Sequence, residues 1–416
     1  MTHPTDTGSS PVVPGAPVAP NLTAWRNAVF VVFTLSGLTL ASWISRLPAV
    51  RDQLHLDTAA VGLLILCLSA GSVVGLVAAP LILNRIGARR GILFALCVSG
   101  LSLAGVGLSA TLLPSPGLAM LFLAVLGLAN GALDVMMNLE GAGAERAIGR
   151  TLLPLMHAFF SLGTVVGAGL GAAASALGIP VSVHLLVVAV LILLVAVVVV
   201  RYLPAVVESD EPLAPALPLK ARIRESLAVW ADVRLLLIGL ILLGMAFAEG
   251  SANDWVAIAT IDGHGQDNTT GAIMFGVFVT AMTVGRVAGG PVLDRLGRVP
   301  VLRWSALIGA IGVLLFILSP SLPMAFVGAG LWGIGASLGF PVGISAAADD
   351  PQKAAARVSA VAIIGYVAFL AGPPLLGFLG QHFGILNALY VVLALLILAA
   401  LATPAARERT GKFSRR

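Results

Sequence analysis

Twelve long apolar stretches leave this chain few folds to choose from. They run over about 25–45, 58–82, 91–112, 117–139, 154–177, 181–203, 233–258, 270–293, 301–319, 322–345, 356–379 and 385–403. A helix needs about 20 apolar residues to cross the hydrocarbon core of a bilayer, and each stretch is near that length. The stretches are continuous rather than alternating, which points to helices and away from the strands of a membrane barrel. Hydrophobic residues make up 58% of the chain and charged residues 10%, against roughly a quarter charged in a soluble domain. A water-soluble core has no room for so much apolar surface, so lipid is part of the expected solvent. The expected fold is an all-α membrane protein with 12 transmembrane helices.

The basic residues orient these helices. With the amino terminus inside, all 24 Lys and Arg except Arg46, Arg51 and Arg286 fall in inner loops, tails or helix ends. That is the positive-inside bias of a membrane topology, and it puts both termini in the cytoplasm. The net charge of +5 therefore describes orientation in a cell membrane, and no nucleic-acid partner is expected.

Polar composition divides the chain further. Residues 1–23 are rich in Pro, Thr, Ser and Gly and read as a disordered tail. Residues 24–203 form a first six-helix bundle, 204–231 a cytoplasmic linker, 232–404 a second bundle and 405–416 a basic tail. Mixed apolar and basic residues from Leu219 to Trp230 suggest a segment lying along the membrane surface. No G-x-x-x-x-G-K-[ST] loop occurs, which argues against an ATP-driven pump. No nucleophile–base pair or metal cluster appears, so no cofactor, metal or enzyme activity is expected. Cys67 and Cys97 both lie in apolar stretches and read as packing residues.

A short basic phrase occurs twice. Leu83-Asn84-Arg85-Ile86-Gly87-Ala88-Arg89-Arg90 returns as Leu293-Asp294-Arg295-Leu296-Gly297-Arg298, with Asn84 and Asp294 210 positions apart. A fixed-period echo signals duplicated architecture, and in apolar surroundings the duplicated object is half of a transporter.

Two six-helix halves, each with such a phrase after its second helix, resemble the major facilitator superfamily. The resemblance covers residues 25–404 and implies alternating access between two bundles. It also implies a gating role for Arg85, Gly87, Arg89, Arg90, Asp294, Arg295, Gly297 and Arg298. The plainer reading is that these arginines anchor helix ends at the headgroups. Asn84 stands where the family usually has Asp.

Ionisable groups inside a span cost about 2.5–3.5 kcal/mol on insertion scales, so each needs a reason. Asn130, Asp134 and Asn138 are spaced i, i+4, i+8 and share one helical face. Burial disfavours the charged carboxylate, which makes Asp134 the candidate proton site. The competing reading locks it to Arg146 or Arg286. His157, Ser161 and Thr164 mark one face of the fifth stretch, and Glu249 and Asn253 one face of the seventh. Arg286 needs an anionic partner or a snorkelling path, and Asp254 lies near enough to the outer end to reach water. Trp43 and Trp255 either stack on a sugar or belong to the aromatic belt.

Asp134-x-x-x-Asn138 also resembles the acid-x-x-x-Asn of fucose-permease-like sugar–proton symporters, although residues 43–48 lack the second acid found there. A nearer likeness, to a bacterial branch that includes MosC-type rhizopine-transport proteins, is carried by four segments. They are Arg46–Leu54, Asp134–Asn138, Pro154–Gly163 and Glu249–Trp255.

These readings converge on a monomeric secondary transporter for a small polar, sugar- or polyol-like solute, coupled to H⁺. Asp134 would titrate, and Asn130, Asn138, His157, Ser161, Glu249, Asn253 and Trp43 would bind the solute. Two alternatives stay open. One is a drug or metabolite efflux antiporter, given Met136, Met137, Phe159 and Phe160 nearby. The other is a membrane sensor that does not transport.

Overall fold

A computed structural model of the chain describes residues 21–149, 152–204, 229–347, 349 and 354–407. The expected tail over 1–20, most of the linker and its surface segment (205–228), Arg150 and the end of the basic tail (408–416) lie outside the described residues. Among the described residues no strand occurs, and 11 helices are long and apolar enough to cross a membrane.

The helices are α1 (Leu22–Ile44), α2 (Leu47–Gln53), α3 (Thr58–Thr111), α4 (Pro116–Ile148), α5 (Leu153–Ala176) and α6 (Val181–Val199), followed after the linker by α7 (Val233–Ile258). Then come α8 (Asn268–Leu296), α9 (Arg298–Leu318), α10 (Leu322–Ala336), α11 (Gly339–Ala347), α12 (Ala354–Phe383), α13 (Ile385–Ala388) and α14 (Tyr390–Ala402). Their starts follow the side chains that cap them. Asp57 accepts from the Ala60 N–H at 2.7 Å and Asp267 from the Thr270 N–H at 2.7 Å. These two caps are again 210 positions apart, so the duplication reaches beyond the basic phrase.

The basic phrases are not loops, as the sequence suggested, but helix on both sides of a single glycine. Gly87 (φ 75°, ψ 167°) breaks α3 into arms over 58–86 and 88–111, and Gly297 (φ 76°, ψ 170°) separates α8 from α9. That region of backbone space is essentially open only to glycine. One residue can therefore reverse the chain with no loop at all. The tenth stretch departs from expectation too: it is two helices, α10 and α11, meeting at Ser337 and Leu338.

Helices α1–α6 pack mainly on one another, as do α7–α14, and the chief contacts between the two groups are α3 with α12 and α5 with α8. Glycine sets the closest approaches. A Cβ on Gly71 would overlap the Ala124 carbonyl across α3–α4, and one on Gly131 the Ser72 carbonyl in return. Between α1 and α5, Gly37 meets the Phe160 carbonyl and Gly163 the Thr34 carbonyl. Without a hydrophobic force between helices in lipid, such small-residue contacts carry the packing. Gly163→Val is expected to destabilise the protein by about 1–3 kcal/mol through overpacking, read as a lower melting temperature in detergent. An unchanged melting temperature would refute the close α1–α5 approach.

Candidate substrate and coupling site

Charge enters the apolar interior at the junction of the two helix groups. On α7, Glu249 lies 16 residues past Val233, or about 24 Å along the axis. It accepts from Arg286 Nη2 on α8 at 2.6 Å, and only 14% of its side chain and 28% of that of Arg286 are exposed. The guanidinium Nε also points to the Ser337 carbonyl at 3.4 Å, at the α10–α11 break. The anionic partner that Arg286 required is therefore Glu249. Across the junction, His157 on α5 is exposed, feels the Arg286 charge and meets the Phe33 ring edge-on at 5.2 Å.

Asp134 is bonded to neither Arg146 nor Arg286. Asn138 Nδ2 donates to its carboxylate at 3.2 Å and to its carbonyl at 2.8 Å, as i, i+4 spacing allows. Asp134 continues the face of α4 that carries Gly127 and Gly131, and those glycines pack on α3. Its exposed side chain thus looks along the protein rather than out at lipid. Asn130, on the same face, is buried, and neither its amide nitrogen nor its oxygen has a partner among the described residues.

Other expected residues separate. Ser161 and Thr164 are buried, with Thr164 Oγ1 donating to the Ser161 carbonyl at 2.7 Å, while His157 stays open. Close packing of α5 on α1 is what turns them apart. Trp43 and Trp255 are 1% and 0% exposed, so both are core residues here and neither offers a free face. Asn253 and Asp254 are half-buried with no hydrogen bond among the described residues. Met136 and Met137 are buried, and Phe159 stacks on Phe30 at 4.5 Å, so these side chains do not build an open apolar wall.

Glu140 was not among the residues expected to matter, because it lies just past the fourth apolar stretch. That stretch stopped at 139, but α4 continues to Ile148. Glu140 is 0% exposed and accepts from Trp25 Nε1 at 2.8 Å, while Oε1 has no partner among the described residues. No proline follows Asn138 before Pro154, which was the available signal, against the glycines at 141 and 143 that suggest an earlier stop.

A second missed set closes one end of the bundle. Arg51 Nη1 reaches Asp262 at 2.5 Å, Asn268 Nδ2 donates to Asp52 at 2.9 Å, and Thr269 Oγ1 to Ser175 Oγ at 3.1 Å. The Thr58 N–H donates to Gln381 at 3.1 Å. Each of these joins one helix group to the other. Among the described residues, all hydrogen bonds between the groups lie at this Arg51 end. Asp52 and Asp262 are themselves 210 positions apart, so the repeat supplies both acids and Arg51 bridges them.

The opposite, hinge end carries no such bond between the groups among the described residues. Arg298 pairs with Asp349 at 2.5 Å, Arg234 with the same carboxylate at 3.2 Å, and Arg357 with Asp232, all within the second group. Burial works against the Asp232 carboxylate, yet Arg357 and the Leu235 and Arg234 N–H groups hold it below the usual carboxylate range. Asp294, Arg295, Arg85 and Arg90 are exposed and Arg89 is half-buried; none has a partner among the described residues. Of the two arginines in the second phrase, Arg298 is the one tied to a carboxylate.

Breaking the Arg51 end is expected to shift the protein toward the opposite opening. Asp262→Asn removes one partly exposed ion pair, worth about 0.2–1 kcal/mol, or a one- to fivefold population change. Cysteines placed at 175 and 269 should then cross-link more slowly than in the parent. Equal cross-linking rates would count against this seal.

Residues 250–415 match the sequence profile described as Major Facilitator Superfamily. An uncharacterized MFS-type transporter of Yersinia pestis is 32% identical over 380 residues, covering 91% of this chain and 94% of the relative. The membrane protein MosC of Rhizobium meliloti is 24% identical, covering 91% and 89%. Among solved structures, a point mutant of the nucleoside transporter NupG superposes with a TM-score of 0.75 at 14% identity, covering 92% of this chain and 100% of that one. A point mutant of the E. coli fucose:proton symporter FucP gives 0.63 at 15% identity, covering 92% and 98%. At these identities the structural likeness speaks to fold.

Proposed function

Since the chain belongs to the major facilitator superfamily, a family of multi-pass membrane transporters and not of enzymes, we propose that it moves a small polar solute by proton-coupled alternating access. The solute class is sugar-, polyol- or nucleoside-like, which accords with what NupG and FucP are named for. The two arms of α3 count as separate spans in this reading. That gives twelve spans in two bundles, 24–203 and 232–404, in a bacterial inner membrane. Both termini and the hinge end are then cytoplasmic, and the present conformation is open inward.

The observation that carries the proposal is the Glu249–Arg286 pair, set in the apolar interior where the helix groups meet, with His157 facing it. A scaffold that binds no solute has no need to hold a charged pair there at the cost of desolvating it. Hydrogen-bonding groups at the junction suit a hydroxyl-rich solute, with Asp134 and Asn138 on one bundle and Glu249 and Asn253 on the other. The buried Met136 and Met137 leave less support for efflux of amphipathic drugs. Asp294 and Arg295, without partners in the inward-open form, act as a latch that engages when the hinge end closes.

Uptake of labelled sugars, polyols and nucleosides into proteoliposomes, with and without a pH gradient, tests this reading. At least one of these solutes should accumulate only under the gradient. Ligand binding without flux of any of them would instead favour the sensor.

A further inference from the structure

A second polar cluster, away from the junction, has two buried basic side chains and no acid. Arg46 follows α1 and is 5% exposed. Its Nη2 donates to the Ile179 carbonyl at 2.7 Å, in the turn between α5 and α6, while Nε and Nη1 have no partner among the described residues. His184, in the first turn of α6, is 7% exposed, and neither ring nitrogen has a partner among the described residues. The imidazole feels the Arg46 charge. Gly171 of α5 forms the wall beside them: a Cβ there would overlap Ser45 Oγ and come within 3.8 Å of His184 Cε1. Ser42 Oγ, one turn back along α1, is also buried without a partner.

Half-buried Arg26 and Arg89 lie at helix ends without a carboxylate among the described residues, but the arginines set deeper in the fold are neutralised. Arg51, Arg234, Arg286, Arg298 and Arg357 each reach a carboxylate. Arg46 reaches none among the described residues. A guanidinium taken out of water needs its charge compensated as well as its N–H groups bonded, and a backbone carbonyl supplies only one bond and no charge.

We propose that Arg46 and His184 bind a small monovalent anion of halide type, chloride in the cell. Two free guanidinium donors and an imidazole N–H give directional contacts, and the positive end of the α6 dipole adds to the same spot. Near-complete burial selects a compact anion over sulfate or a lipid phosphate. Water would satisfy the donors but leave the charge.

The test uses the purified full-length protein in detergent at constant ionic strength, with gluconate replaced stepwise by chloride, bromide or sulfate. Chloride and bromide should raise the melting temperature saturably, by roughly 2–4 °C, and sulfate should not. Arg46→Gln should abolish the rise. If Arg46→Gln does not fold, His184→Phe carries the test and should weaken half-saturation about tenfold, ~1.4 kcal/mol. A parent protein indifferent to halide, an equal response to sulfate, or a halide response unchanged in the folded variant would each overturn the site. None of these readouts depends on solute transport, so failure here and failure of the transport proposal are distinct.

Discussion

Asp134→Asn is expected to abolish accumulation of solute against its gradient while sparing exchange of solute across the membrane. A gradient of about one pH unit supplies about 1.4 kcal/mol per proton, enough for about tenfold accumulation if one proton moves with one solute. The amide keeps the shape of the carboxylate and its contact with Asn138 at 3.2 Å, yet it takes up no proton. Bundles that still rock will equilibrate the solute, so the accumulation ratio should fall from about tenfold to about one. Counterflow of labelled against unlabelled solute should persist. Asp134→Asn vesicles that still accumulate solute about tenfold would remove Asp134 from the coupling step and move attention to Glu249 or Glu140.

Glu249→Gln should produce the largest loss of stability. The substitution leaves the Arg286 charge uncompensated in the apolar interior, with only neutral acceptors, the glutamine amide oxygen and the Ser337 carbonyl at 3.4 Å, beside it. Removing one member of a buried ion pair costs about 3–5 kcal/mol. Because 28% of the Arg286 side chain is exposed, the lower end applies, about 3 kcal/mol. At roughly 2–4 °C per kcal/mol, the melting temperature should drop by roughly 6–12 °C. Glu249→Gln with Arg286→Met removes both charges and should recover most of that loss, since the two effects couple rather than add. Transport should stay absent in the double variant, because the pair is assigned to solute binding as well as to folding. A double variant as unstable as the sum of the single ones would show that the two side chains do not act as a pair.

The apolar stretches, the Arg and Lys distribution and the 210-residue echo were all legible as a linear pattern. Each depends on local chain properties, namely length, sign of charge and recurrence. The echo held more than was first read from it. The caps Asp57 and Asp267 and the acids Asp52 and Asp262 lie at the same offset. Gly87 and Gly297 share a backbone conformation that explains why glycine is present in both phrases. The expectation of a loop there failed because one residue beyond the usual φ range does the work of several.

Partners across the chain were not legible. Arg286 needed an acid or a snorkelling path, and the acid that stood as its possible partner in the sequence was Asp134. Only the crossing of α7 and α8 selected Glu249. Likewise Trp25 and Glu140 are 115 positions apart, and nothing local joins them. Trp43 looked like a ring available to a sugar because tryptophan serves in cores and in binding sites alike. Its burial is a property of neighbours from other helices.

By itself the sequence determined that this chain is helical, lies in a membrane and is built from a duplicated half. Those outcomes follow from the bilayer's thickness and from the cost of unpaired backbone in lipid, which leave little else possible. The tertiary structure alone decided which charges neutralise one another, which end of the bundle is sealed and which polar side chains stay open. Those depend on distances of a few ångströms between residues far apart in the chain, set by how glycine-lined helices happen to cross.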